Sequence, residues 1–213
     1  DISYYEPNKP FRGGIPICWP WFGKSQNPSH GFARTQEWEL AKRVDTKECV
    51  TLTWKLSDTA YTGHIWNHPF ELTLVMKLSE TLELKLLIDT DIQTTGALHT
   101  YLAINDIYDI EISGLGGEYW DALLRAKTML KLTKPTTITS ETDRIYTNSE
   151  ILTTIRENRH ILDIHHHNHS DVVLWNPHKD LADTRHDGYK KFVCVETARI
   201  NIPLEAKDFI GLK

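Results

Sequence analysis

With 213 residues, 40% hydrophobic and 25% charged, the chain has the makeup of a folded protein rather than a disordered one, in one large domain or two small ones. A formal net charge of -5 argues against a nucleic-acid partner, which requires a basic surface to displace counterions, but leaves room for a local pocket for a small anion. Cys18, Cys49 and Cys194 form no CxxC pair and no even-numbered framework, which disfavours structural zinc and disulfides and fits a reducing compartment.

Asp1 to Pro10 is polar and lacks the basic-then-apolar layout of a signal peptide. No later apolar run reaches membrane-span length, so a cytoplasmic protein without a membrane partner is expected. Arg12 to Arg34 reads RGGIPICWPWFGKSQNPSHGFAR. Paired glycines permit close backbone approach, prolines block ladder donors, and Trp19, Trp21 and Phe22 supply rigid apolar walls. A loop this long and aromatic is a functional candidate; the plainer alternative is that its aromatics cap one end of the core.

Strand signals follow. Cys49 to Leu56 (CVTLTWKL), Phe70 to Leu78 (FELTLVMKL) and Leu82 to Ile88 (LELKLLI) alternate with period two, as half-buried antiparallel strands do. Further strands are predicted at Ala97 to Ile104, Ile110 to Ser113, Thr128 to Leu132, Thr136 to Thr139, Arg159 to His166, Val172 to Trp175 and Phe192 to Val195. Turn residues such as Asp58-Thr59 and Gly114 to Gly117 separate them. Only Asp180 to Arg185 suggests a helical turn or two. Many close-spaced strands predict an all-β, large antiparallel β-sandwich, read as a single domain over 1–213.

Residues 165 to 169 read HHHNH, and strand alternation would put His165, His167 and His169 on one face. Three imidazoles could bind zinc, copper or nickel, but no Cys or carboxylate pair completes a familiar site, and a solvated strand edge is the preferred reading.

Six segments, in order, resemble the hexose-6-phosphate mutarotase branch of the aldose 1-epimerase superfamily: RGGIPICWPWFG (12–23), HGFAR with Trp38 (30–34), LHTYL (98–102), ETDRIY (141–146), WNP (175–177) and DGYKKFVCVE (187–196). The resemblance implies a galactose-mutarotase-like sandwich. It also implies that the chain lacks several strands that family members carry ahead of the RGG segment.

Mutarotation interconverts sugar anomers by opening and reclosing the hemiacetal ring. It needs a base for the O1 proton and an acid for the ring oxygen, roles that suit a carboxylate and an imidazole near neutral pH. No cofactor, metal or covalent intermediate is required, and the implied partner is a small-molecule hexose 6-phosphate acted on by a monomer. By resemblance Glu196 is the general base and His99 the general acid. From the residues alone, Glu196 is a partly desolvated glutamate at the end of the Phe192 to Val195 strand, with Arg199 as a candidate ion-pair partner, and His99 is a core histidine. The resemblance also assigns His30 to substrate hydrogen bonding and Asp143 to sugar hydroxyls, against an Asx-type turn for Asp143. Arg12 and Arg34 flank the aromatic loop, and their planar forks suit phosphate oxygens, with Lys24 a weaker candidate. Three other readings stay open: a non-catalytic carbohydrate-binding sandwich, a free-aldose 1-epimerase and a metal-dependent β enzyme using the histidine cluster.

Overall fold

The computed structural model describes Ser3, residues 11–129 and residues 134–213. In chain order the strands are β1 (Ile17–Cys18), β2 (Glu39–Asp45), β3 (Val50–Ser57), β4 (Phe70–Leu78), β5 (Leu82–Thr90), β6 (Thr94–Leu98), β7 (Tyr101–Ala103) and β8 (Ile110–Ser113). They continue with β9 (Glu118–Asp121), β10 (Ala126–Met129), β11 (Thr142–Thr147), β12 (Leu152–Glu157), β13 (His160–His167), β14 (Asp171–Asn176), β15 (Phe192–Leu204) and β16 (Lys207–Leu212). They form two antiparallel sheets, so the all-β expectation holds. Among the described residues no helix is long and apolar enough to cross a membrane.

The chain divides into two compact units. The first comprises Asp1–Pro16, His99–His165 and Ser170–Thr197; the second comprises Ile17–Leu98, His166–His169 and Ala198–Lys213.

In the first unit, β7 pairs with the start of β15, and β14, β11, β9 and β10 follow in that order. β12 lies between β13 and β8 in a second ladder. Ile110, Ile112 and Ile155 turn inward there, as does Glu157. Glu157 accepts the backbone N–H groups of Asn105 and Asp106 at 2.8 Å and the Asn105 amide, also at 2.8 Å. Burial would raise its pKa, but these donors outweigh burial and hold the carboxyl below its ordinary value.

In the second unit, β2 to β5 run in sequence with β16 against β5. β5 shows why period two is a dependable signal: Leu84, Leu86 and Ile88 are buried while Lys85, Leu87 and Asp89 face outward. Trp19, fully buried, meets Phe32, Trp66 and Phe70 at ring-centroid distances of 4.9–6.0 Å and donates its indole N–H to Thr94. Trp21 is buried as well, so two of the aromatics read as site walls are core, and only Phe22 stays partly exposed.

Several predicted elements differ. The strand expected over Ala97 to Ile104 is broken at His99 and Thr100, although β6 and β7 both lie against β15 and β6 has β1 on its other edge. Pro16 accepts the His99 N–H at 3.0 Å but has no N–H to return, so the two-way ladder lapses there. Thr136 to Thr139 shrinks to one bridge, Thr136 to Ile112, and Asp180 to Arg185 is turn rather than helix. The unforeseen helix, α1 (Ala60–Ile65), begins at a Thr59–Thr62 capping box and is too short to show helical periodicity. The strand predicted over Thr128 to Leu132 lies partly outside the described residues, beyond β10.

Glu157 makes stability pH-dependent. Its folded pKa lies below the unfolded one, so its contribution is present at neutral pH and is lost as pH falls through the folded value. Glu157→Gln should cost about 1–3 kcal/mol in urea unfolding at pH 7, with the gap to the parent chain closing below about pH 4. A gap that does not change between pH 7 and pH 3 would refute this.

Candidate active site

Glu196 was expected at a strand end and is found inside one. β15 runs through it to Leu204, because Thr197, Ala198 and Arg199 are buried too and the strand does not stop where the apolar run does. The carboxylate is 1% exposed. Arg199 is occupied elsewhere, donating to the carbonyls of Ile202, Asn168 and Pro203 and facing Asp208 at 3.3 Å.

Strand register carries the other groups to the same face. Cys194 pairs with Tyr101, so Glu196, two residues on, shares a face with Tyr101 and with His99, two residues back from it. The contact bears this out: His99 Nε2 lies 3.4 Å from Glu196 Oε1, and both side chains are closed from solvent. Tyr101 lies parallel to the His99 ring at 5.0 Å and 7°, and Trp175 meets that ring edge-on at 5.9 Å. The imidazole is thus held between two aromatic rings, which fix its plane.

Arg12 reaches the same cluster from the start of the chain. Its guanidinium lies 5.9 Å above the Trp175 ring, and its Nε donates to Asp183 Oδ2 at 2.9 Å. Burial opposes its charge, but Tyr101 and the Asp183 carboxylate beside it outweigh that and raise its pKa. Tyr101 is pushed well above the ordinary phenol value, first by burial and then by Cys194, with Arg12 opposing. It therefore stays neutral at working pH.

Asp143 pairs with Trp175 across β11 and β14, which puts its half-buried carboxylate on the Trp175 face. It belongs to a strand and not to the Asx turn weighed above. The loop from 177 to 191 is held by Asn176, whose amide donates to the Tyr189 and Phe192 carbonyls at 2.9 Å and whose oxygen accepts the His178 N–H. That loop carries Asp183 to Arg12.

The structure therefore brings together Arg12, His99, Glu196 and Asp143 within the first unit. His30 and Arg34 belong to the second. His30 has a φ of +62° and lies edge-on to Phe22 at 4.8 Å. Arg34 is exposed, with a terminal N–H on the Ser29 carbonyl at 2.8 Å. Tyr101, Trp175 and Asp183 were not singled out from the sequence. The first two stand inside the matched segments LHTYL and WNP, whereas nothing near Asp183 marks it.

The HHHNH geometry is corrected. His165 and His167 are exposed, but Asn168 has a φ of +54° and ends the alternation, and His169 lies 5.1 Å ring to ring from the buried His166. Among the described residues, Asp180, His186 and Asp187 can bring ligand atoms together, but Asp187 is paired with Lys190 at 3.0 Å.

The aldose 1-epimerase family model matches residues 5–209. A Salmonella typhimurium protein named "Putative glucose-6-phosphate 1-epimerase" is 38% identical over 98% of this chain and 76% of its own length. The Escherichia coli protein of the same name is 36% identical over 93% of this chain and 72% of its own. A crystal structure of a "putative mutarotase" from Salmonella typhimurium superposes with a TM-score of 0.94 at 34% identity, covering all of this chain and 76% of that one.

His30 depends on its neighbour. Gly31 has a φ of +69°, and a Cβ there would run into the Trp19 carbonyl. Gly31→Ala should lower unfolding stability by roughly 3 kcal/mol or more in denaturant titration. A loss below about 1 kcal/mol would show that the Trp19 segment can give way.

Proposed function

The chain belongs to the aldose 1-epimerase family, a family of isomerases, and on that premise we propose that it is a hexose-6-phosphate mutarotase, exchanging the α and β anomers of glucose 6-phosphate and related hexose 6-phosphates. The observation that carries the reading is the His99–Glu196 pair, an acid and a base 3.4 Å apart and shielded from water.

The spacing suits the chemistry. O1 and the ring oxygen hang on one carbon, so the groups that exchange protons with them must themselves be neighbours. Glu196 takes the O1 proton while His99 delivers one to the ring oxygen, and the C1–O5 bond breaks to give the open aldehyde. Rotation about C1–C2 presents the other face of the carbonyl. Closure then runs the two transfers backward, with His99 taking the proton from O5 and Glu196 returning one to O1. The proton count of the pair is restored in each cycle, and the reaction as written calls on no metal, cofactor or covalent intermediate. Desolvation of both groups favours transfer between them and the sugar over exchange with bulk water.

Trp175 offers an apolar plate for a pyranose face, and Asp143 beside it offers a carboxylate for sugar hydroxyls. Arg12 supplies the guanidinium for the phosphate, already oriented by Asp183. The sequence resemblance implies a substrate hydrogen bond for His30, and the planar fork of Arg34 suits phosphate oxygens.

Saturation-transfer NMR of glucose 6-phosphate anomers is the direct assay. Anomer exchange should accelerate with the protein present, and His99→Ala and Glu196→Gln should each lower kcat by roughly 10²–10⁴-fold while binding persists. Binding without any enhanced exchange would identify a carbohydrate-binding protein instead. Arg12→Ala should weaken hexose 6-phosphate far more than free hexose, and Arg34→Ala tests the second arginine in the same way. Equal losses on both substrates would remove these arginines from the phosphate site.

A further inference from the structure

A free hexose and its 6-phosphate can make the same contacts with Trp175 and Asp143. Selectivity between them is a difference of two binding energies, so it comes from groups that meet the phosphate. In the first unit that group is Arg12, and whatever sets Arg12 in place bears on selectivity.

Arg12 is held at both its side chain and its main chain by one short stretch of the loop from 177 to 191. At the side chain, Nε donates to Asp183 Oδ2 at 2.9 Å, and the Asp183 side chain is 11% exposed against 29% for Arg12. At the main chain, the Arg12 N–H donates to Ser3 Oγ at 3.0 Å, and Ser3 bridges to Thr184, the residue after Asp183. Ser3, Asp183 and Thr184 are all buried. A tight turn sets this stretch: the Leu181 carbonyl accepts the Thr184 N–H at 3.1 Å and the Thr184 hydroxyl at 3.2 Å. All of these residues belong to the first unit.

A guanidinium that served only to pin the loop would meet a carboxylate best through two parallel bonds. Asp183 bonds Nε instead. The other N–H groups of an arginine sit on its two terminal nitrogens, an edge that matches phosphate oxygens. The guanidinium carbon lies 5.9 Å from the centre of the Trp175 ring, so this edge is carried beside the plate offered to the sugar. A long side chain loses rotamer freedom when it is fixed. Asp183 has fixed this one in the folded protein, before substrate arrives.

We propose that Asp183 is a specificity-determining residue for phosphorylated over free sugars, a positioning residue that acts through Arg12. This rests on the reading of Arg12 as the phosphate ligand. Asp183 aims the terminal N–H edge and removes rotations that phosphate binding would otherwise freeze. A free sugar has no group for that edge, so the gain goes to the phosphorylated substrate. The carboxylate also places a negative charge near an incoming dianion, which by itself weakens binding. Aim and charge therefore predict opposite signs for its removal, and aim outweighs charge.

Affinities for glucose 6-phosphate and glucose are measured by NMR titration, and kcat and KM for anomer exchange by saturation transfer. Asp183→Ala should lower the affinity ratio of the two sugars about tenfold, with the loss in KM for glucose 6-phosphate rather than in kcat. Asp183→Asn keeps the shape and removes the charge. It should weaken glucose 6-phosphate about threefold, whereas charge alone predicts tightening. In an Arg12→Ala background Asp183→Ala should leave the ratio as it is, because the residue through which Asp183 acts is gone. A residue that merely props the loop would keep its effect there. Tighter glucose 6-phosphate binding in Asp183→Asn overturns the proposal, as does an effect of Asp183→Ala that persists without Arg12. Should Asp183→Ala fail to fold, the sign in Asp183→Asn decides. A protein inert toward anomers whose glucose 6-phosphate affinity follows Asp183 would refute the mutarotase reading and keep this one. An active protein whose affinity ratio ignores Asp183 would do the reverse.

Discussion

Burying a carboxylate is costly unless its surroundings supply hydrogen bonds or opposite charge, and that constraint organises this site. Glu196 can sit 1% exposed because β15 continues through it and because an imidazole is delivered to within 3.4 Å of it. His99 stands at the break between β6 and β7. β6 and β7 both lie against β15, and the start of that strand sets Tyr101 opposite Cys194. On the other side of His99, Pro16 accepts its N–H and has none to return.

Around this pair the fold spends its rigidity on planes and forks. Tyr101 and Trp175 fix the imidazole, and Asp183 fixes the guanidinium of Arg12. Asn176 bonds the two ends of the loop that brings Asp183 in, so a residue with no ordered strand of its own is still held in place. Each arrangement removes a rotation that substrate binding would otherwise have to freeze, which is the physical content of a preorganised site.

The strands most legible in the sequence were those with one face in the core and one in water. Leu82–Thr90 alternates because the two faces differ in solvent, and Phe70–Leu78 was read to its observed ends. Two of the missed strands violate that premise. Glu39–Asp45 is exposed along its whole length, so no inward face marks it. Leu152–Glu157 turns Thr153 and Glu157 inward, and a polar residue satisfied by backbone N–H groups looks like a surface residue in a one-dimensional pattern. The same effect cut β15 short at Val195, since Glu196, Thr197 and Arg199 are buried polar groups.

The sequence by itself determined the all-β class, the positions of the strongly alternating strands and, through ordered motifs, the residues proposed as an acid–base pair with an arginine. Those follow from local alternation and from resemblance, both of which can be read along a line. Only the tertiary structure decided that Glu196 lies within a strand, that the imidazole is clasped by Tyr101 and Trp175, and that Asp183, unmarked by any local signal, holds Arg12. It also ended the apparent three-histidine face at Asn168, where one positive φ overrides alternation. Burial of a polar group and the pairing of residues 171 positions apart depend on which strands become neighbours, and strand pairing is a property of the whole chain.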